Sequence, residues 1–294
     1  MKKKIAVIGL CIALIVVALA GGTLAYFTDT DTADNVMTTG RIGITQNEQK
    51  RGADGATLED FTDDVILMPV TNYEKCEKVT VNGKEYDMFS NKVNFVDKIV
   101  TVTNEKDSEE AYVRTLFAFE MIKQENDDGS VTWIDPIDAF DTKALWTHWI
   151  GSDVVADSSC LWPLNTADGS GVAPYPSGKD CCHVEIDGVM YVVAEYYYGN
   201  GSKLAPGETS HPSLMQVAFE GPVTNEQAAA LVGEDGKYSI LVLSQAVQTA
   251  GFSDERNEDG SVKTPAAEVA LNAAFGDVSQ ADKETLQKWF SECK

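Results

Sequence analysis

The chain has 294 residues, and its 46 Asp and Glu outnumber its 23 Lys and Arg, giving a formal net charge of −23. A surface of that sign repels nucleic acid and anionic lipid headgroups, so neither a nucleic-acid binder nor a protein held to a bilayer by basic patches fits it. The length suffices for one large β domain with a sizeable core.

Lys2, Lys3 and Lys4 precede an apolar run from Ile5 to Ala20, the pattern of a secretory signal and short for a spanning helix, which needs about 20 residues. Thr23-Leu24-Ala25 supplies small residues at a cut site, so cleavage is expected between Ala25 and Tyr26. An uncleaved anchor, lengthened by Gly21 and Gly22, is the alternative. Residues 1–25 are thus expected to be a signal peptide and residues 26–294 a single domain, touching a membrane only through the uncleaved signal. Cys11 lies inside the apolar run rather than directly after it, which argues against lipid modification. Cys76, Cys160, Cys181, Cys182 and Cys293 remain, an odd number whose pairing the sequence leaves open.

Beyond the polar stretch of residues 28–40, the hydrophobic period is mostly two. Lys98 to Thr103 is β-branched and reads as a strand, and Ala111 to Phe119 reads as a half-buried one. In the latter, Val113, Phe117 and Phe119 share one face, with Arg114 and Glu120 on the other. Residues 104–110 between them make a hairpin or a switch between sheets. Asn126-Asp127-Asp128-Gly129 is a turn leading into a strand at Val131–Ile134. Val184–Ile186 and Val189–Val193 flank Asp187-Gly188, a hairpin signal because Asp-Gly readily adopts the positive φ angles of a type I′ turn. Strands are also expected at Leu214–Phe219 and Tyr238–Ser244.

The segment from about 135 to 179 has no sustained period and reads as an insertion of loops with one short helix. Its Trp146, Trp149 and Trp162 are candidate ligand-binding aromatics, or else the local core of a long loop. Helical signals come late. Thr224 to Gln227 forms a capping box before Ala228–Leu231. Thr264-Pro265 offers a polar cap with Pro at the first helical position and Gly276 as the stop, and residues 279–282 open a last helix through Phe290. The expected fold is mainly β, a two-sheet antiparallel sandwich with a long loop insertion and a helical C-terminal segment at about 264–291.

Catalytic signals are sparse. His148, His183 and His211 are isolated, and neither an H-E-x-x-H pair, a G-x-S-x-G elbow nor a phosphate-binding loop occurs. No catalytic, cofactor-binding or metal residues are assigned, and Cys181-Cys182-His183 with Glu185 gives only a faint zinc pattern. Two acidic groups hint at calcium: Glu59, Asp60, Asp63 and Asp64, and Glu255, Asn257, Asp259 and Gly260. The second has Ala266 where a bidentate Glu belongs, so solvated acidic turns are the better account.

Three stretches carry a resemblance: residues 1–44 ending in GGTLAYFTDTDTADNVMTTGRIGI, VDKIVTVTNEKDSEEAYVRTLFAFE at 96–120, and LAPGETS at 204–210. They resemble the TasA and camelysin family of exported proteins from Gram-positive bacteria, and ILVLSQAVQTAGF with LNAAFG resembles an uncharacterised clostridial subgroup. The resemblance implies a jelly-roll sandwich, processing by a SipW-type signal peptidase, and a place in the extracellular matrix or on the cell surface. It further implies biofilm fibres in which the mature N-terminus adds a strand to a neighbouring copy. Residues 26–36, with Tyr26, Phe27, Ala33 and Val36 as the apolar members, would be that donor; a polar leader is the plainer account. A monomeric surface adhesin and a camelysin-like metalloendopeptidase are the alternatives, the latter without a zinc motif here.

Overall fold

A computed structural model describes residues 28–30, 41–62, 67–70, 77–134, 145–149, 161–163, 183–219, 224 and 237–291. In chain order the strands are β1 (Thr28–Thr30), β2 (Ile44–Arg51), β3 (Leu58–Asp60), β4 (Glu77–Val81), β5 (Lys84–Met88), β6 (Val96–Asp97), β7 (Ile99–Asn104), β8 (Ala111–Glu120), β9 (Ile122–Glu125) and β10 (Val131–Ile134). They continue as β11 (Leu145–Trp149), β12 (Leu161–Pro163), β13 (His183–Ile186), β14 (Val189–Tyr197), β15 (Lys203–Leu204), β16 (Leu214–Phe219), β17 (Ile240–Gln248), β18 (Glu255–Arg256) and β19 (Val262–Thr264). Helices α1 (Ala266–Phe275) and α2 (Lys283–Phe290) close the described chain.

The main sheet is antiparallel in the order β1-β17-β8-β14-β13, with β15 added to the start of β8. A second layer combines β3-β2-β7 with β12-β11-β16-β6. These two groups join because β7 runs beside the segment entering β16: Ser210 and Ser213 N–H donate to Val102 and Val100 O, and Lys98 N–H donates to Met215 O. The loop from β7 to β8 therefore switches sheets. Asn104 organises that loop, its Nδ2 donating to Glu109 O and Leu204 O.

Between the layers pack Val100, Phe117, Phe119, Val192, Val217 and Phe219. Burying each such side chain stabilises by roughly 1.5–3 kcal/mol. The alternation expected along β8 holds, yet the strand is not half-buried. Its second face, Tyr112, Arg114, Leu116 and Ala118, is covered by the C-terminal helices, α1 through Ala267, Ala270 and Leu271 and α2 through Leu286 and Phe290. Helix, sheet and sheet thus form three layers.

Local signals account for most turns. Asp187 (φ 51°) and Gly188 (φ 83°) make the expected tight hairpin, with Ile186 opposite Val189. Asn82-Gly83 makes a second one between β4 and β5, unremarked in the sequence although Asn-Gly carries the same chemistry. Asn126 to Ser130 and Asn257 to Ser261 share the pattern N-x-D-G-S and one hydrogen-bond set: Asp128 and Asp259 accept from both N–H and O–H of the Ser two residues on. Those bonds hold both carboxyls below the ordinary Asp range. The acidic group at 255–260 is therefore a self-capped hairpin turn.

Two expectations are corrected. Pro265 is the N-cap of α1 rather than its first residue, and Thr264 does not cap it; Asp254 accepts from Ala266 N–H instead, at 3.0 Å. Within the supposed loop insertion, residues 145–149 form a strand on β16, with Trp146 opposite Ala218, and residues 161–163 pair with it. The rest of that segment and the helix expected at 228–231 lie outside the described residues.

Candidate functional site at the edge of the main sheet

Strand β17, ILVLSQAVQ, pairs with β8 along its whole length, from Ile240 opposite Phe119 to Gln248 opposite Ala111. Its other side is met by β1 over three residues only: Thr28 opposite Val247, Asp29 opposite Ala246 and Thr30 opposite Gln245. Along Ile240 to Ser244 no further strand lies beside it among the described residues. This edge carries no charge, and charged edge residues are a usual guard against strand addition.

One side chain of the second layer reaches this edge. Gln46 of β2 donates from Nε2 to Val242 O at 3.3 Å and to Glu48 Oε1 at 3.0 Å, and its Oε1 accepts from Ser244 Oγ at 2.7 Å. Ser244 in turn meets Thr115 Oγ1 at 3.1 Å. Buried hydroxyls are thereby satisfied, and the corner between the layers is closed by one amide rather than by a ladder.

At the opposite end of the sheet the edge is protected. Strand β13 is four residues long, carries Glu185, and is tied to β14 by the Asp-Gly turn. Gln287 of α2 donates to Glu185 O at 2.6 Å, occupying an acceptor that an incoming strand would need.

Between the edges, Arg114 sits fully buried under α1 in a cage of oxygens. Its Nε donates to Gln245 Oε1 at 2.8 Å, Nη1 to Glu195 Oε1 at 2.8 Å and Asn272 Oδ1 at 3.0 Å, and Nη2 to Gly276 O at 3.0 Å. The Gly276 carbonyl ends α1, where the helix dipole favours a cation. The guanidinium also lies 5.9 Å from the Phe275 ring centroid and 5.7 Å from that of Trp289. Burial raises the Glu195 carboxyl above its ordinary range while Arg114 pulls it back, and burial likewise raises the Tyr197 phenol.

Of the sequence-derived site residues, Ala25, Tyr26, Phe27, Ala33 and Val36 lie outside the described residues, and so do Cys76, Cys160, Cys181, Cys182 and Cys293. Thr28–Thr30, the middle of the expected donor segment, is described and is paired as above. Trp146 and Trp162 fall on neighbouring strands one register position apart, while Trp149 lies opposite Leu214 past an irregularity. Of the acidic group near 60, Glu59 and Asp60 lie on β3, and Asp63 and Asp64 are outside the described residues. His211 Nε2 meets Tyr196 OH at 2.8 Å. Among the described residues no group of three or more His, Cys, Asp or Glu is placed to hold a metal, and no helix is long and apolar enough to cross a membrane. The edge of β17 was not singled out in the sequence, although its nine-residue run without charge is the signal that marks it.

A strand of the N-terminal leader laid on a sheet edge places the chain in the class of β-sandwich proteins whose leader takes part in the sheet. Residues 1–51 match the family model of the camelysin metallo-endopeptidases, which bears out the resemblance over that stretch; the match ends at Arg51, the last residue of β2. Neither a curated protein nor a solved structure matches the chain.

Proposed function

We propose that this is an exported structural protein of the extracellular matrix or cell surface. Its copies assemble when the leader of one, residues 26–36, pairs with the β17 edge of the next. The observation that carries this reading is the antiparallel register of Thr28–Thr30 on Val247, Ala246 and Gln245. A pairing of three residues on a nine-residue strand is weak within one chain, and the same backbone groups accept an identical segment from a second copy equally well. Export by a SipW-type signal peptidase supplies the timing, because cleavage after Ala25 frees the leader only outside the cell. No catalytic role is included, since the family match spans the leader and the first long strand alone.

The test is negative-stain microscopy of the chain beginning at Tyr26, from mildly acidic to neutral pH, beside a chain lacking residues 26–36. Regular fibres from the first and monomers from the second are expected. Monomers from both would overturn the reading. Proteolysis of a protein substrate that a chelator abolishes would replace it with the enzymatic one.

A further inference from the structure

The cage around Arg114 is unbalanced in charge. Arg114 of β8 is its one cation, fully buried. Facing it are Glu195 and Tyr197 of β14, the uncharged Gln245 of β17, and Glu268 in the first turn of α1. Asp277, one residue past the α1 cap, and Glu255 of β18 complete the set, and α2 adds the ring of Trp289. Four carboxylates thus share one guanidinium beneath a helix, and three of them come from the C-terminal cover rather than from the sheet. Ionised together they repel across the contact that holds α1 down.

We propose that the C-terminal cover is an acid-tightened clamp: protons shared among Glu195, Glu268 and Asp277 lock α1 onto the main sheet, and their loss toward neutral pH loosens it. This inference is independent of the strand-addition reading. Burial lifts Glu195, and burial followed by Glu195, Asp277 and Glu255 lifts Glu268. For a carboxyl whose folded pKa stands above its unfolded one, the stabilisation is fully present below the unfolded value and is lost as pH rises through the folded value. The clamp therefore tightens on acidification, in the window just above the ordinary carboxylate range.

Hydrogen exchange of the full mature chain at pH 5.5, 6.5 and 7.5, corrected for intrinsic exchange, tests this, with peptides from α1 compared with peptides from β7 and β8. Opening of α1 is expected to rise with pH relative to those strands, by up to about tenfold for each unit by which a carboxyl is lifted. Glu268→Gln should flatten that slope and give at pH 7.5 the protection that the unaltered chain shows at pH 5.5. Asp277→Asn repeats the test at a second position should Glu268→Gln fail to fold. Protection of α1 that follows the control strands at every pH, or a Glu268→Gln chain with an unaltered slope, would overturn the proposal.

Discussion

The two edges of the main sheet solve one problem in opposite ways. At β13 the strand is short, a tight turn fixes its register, Glu185 interrupts its apolar pattern, and α2 lies against it with Gln287 on a free carbonyl. At β17 the strand is long and uncharged, and closure falls to three residues from the far N-terminus and one glutamine from the other layer. An exposed, uncharged edge ordinarily invites aggregation. Here the guarded edge lies under the cover that also buries Arg114, and the unguarded one faces the leader. The contrast teaches that the sheet is closed firmly where packing needs it and lightly where an exchangeable strand belongs.

The largest expected effect lies on the closed side. Arg114→Met removes the only cation of the cage and leaves Glu195 buried without its partner, which costs about 3–5 kcal/mol. Urea unfolding at pH 7.5 measures it. Because the Glu195 carboxyl is already raised, the loss should shrink at pH 5.5, where protonation removes the stranded charge. An equal loss at both pH values would place the damage in packing, through the stem of Arg114 against Phe275 and Trp289, rather than in charge.

Arg114 also marks the limit of what the sequence disclosed. Alternation along residues 111–119 correctly assigned Phe117 and Phe119 to one face and Arg114 to the other, since a strand's period is fixed by its pleat. The burial of the second face was hidden because its cover arrives some 150 residues later, and a period cannot announce a distant partner. Likewise Asp187-Gly188 and Asp282 were legible because turns and caps depend on a few adjacent residues. Pairing of Thr28–Thr30 with β17 was legible only as a capacity of the leader, its acceptor lying more than 200 residues away. The strand at 145–149 escaped for the same reason: its partner β16 lies across the insertion.

Leu286→Ala should come next. Leu286 is fully buried against Phe290, Val278 and the outer face of the sheet, and truncation there costs about 2–5 kcal/mol, depending on how far the site collapses. The comparison sharpens if this variant also raises exchange at Glu185 and Ile186, showing that α2 guards the β13 edge. Unchanged exchange there would assign that protection to the turn alone.

Asp282→Ala should do less. Asp282 caps α2 by accepting from Thr285 N–H at 2.8 Å, and that bond holds its carboxyl below the ordinary range. Its contribution is present above the unfolded pKa and disappears as pH falls through the folded one, the reverse of the behaviour expected of Glu195 and Glu268. Fraying of α2 seen by hydrogen exchange at neutral pH, and no difference from the unaltered chain at strongly acidic pH, would confirm that sign.

Asp29→Pro should disturb the single chain least and its assembly most. Proline in the middle of a strand removes a backbone donor and constrains φ, so pairing opposite Ala246 is disrupted. The folded chain loses only a three-residue contact at its margin, and its unfolding midpoint should stay within error. Assembly that relies on the same register in a second copy has no other contact at that edge to replace it, so fibres should vanish while monomers remain fully folded. Fibres that survive Asp29→Pro would mean that copies join through another surface, and the open edge of β17 would then need a different occupant.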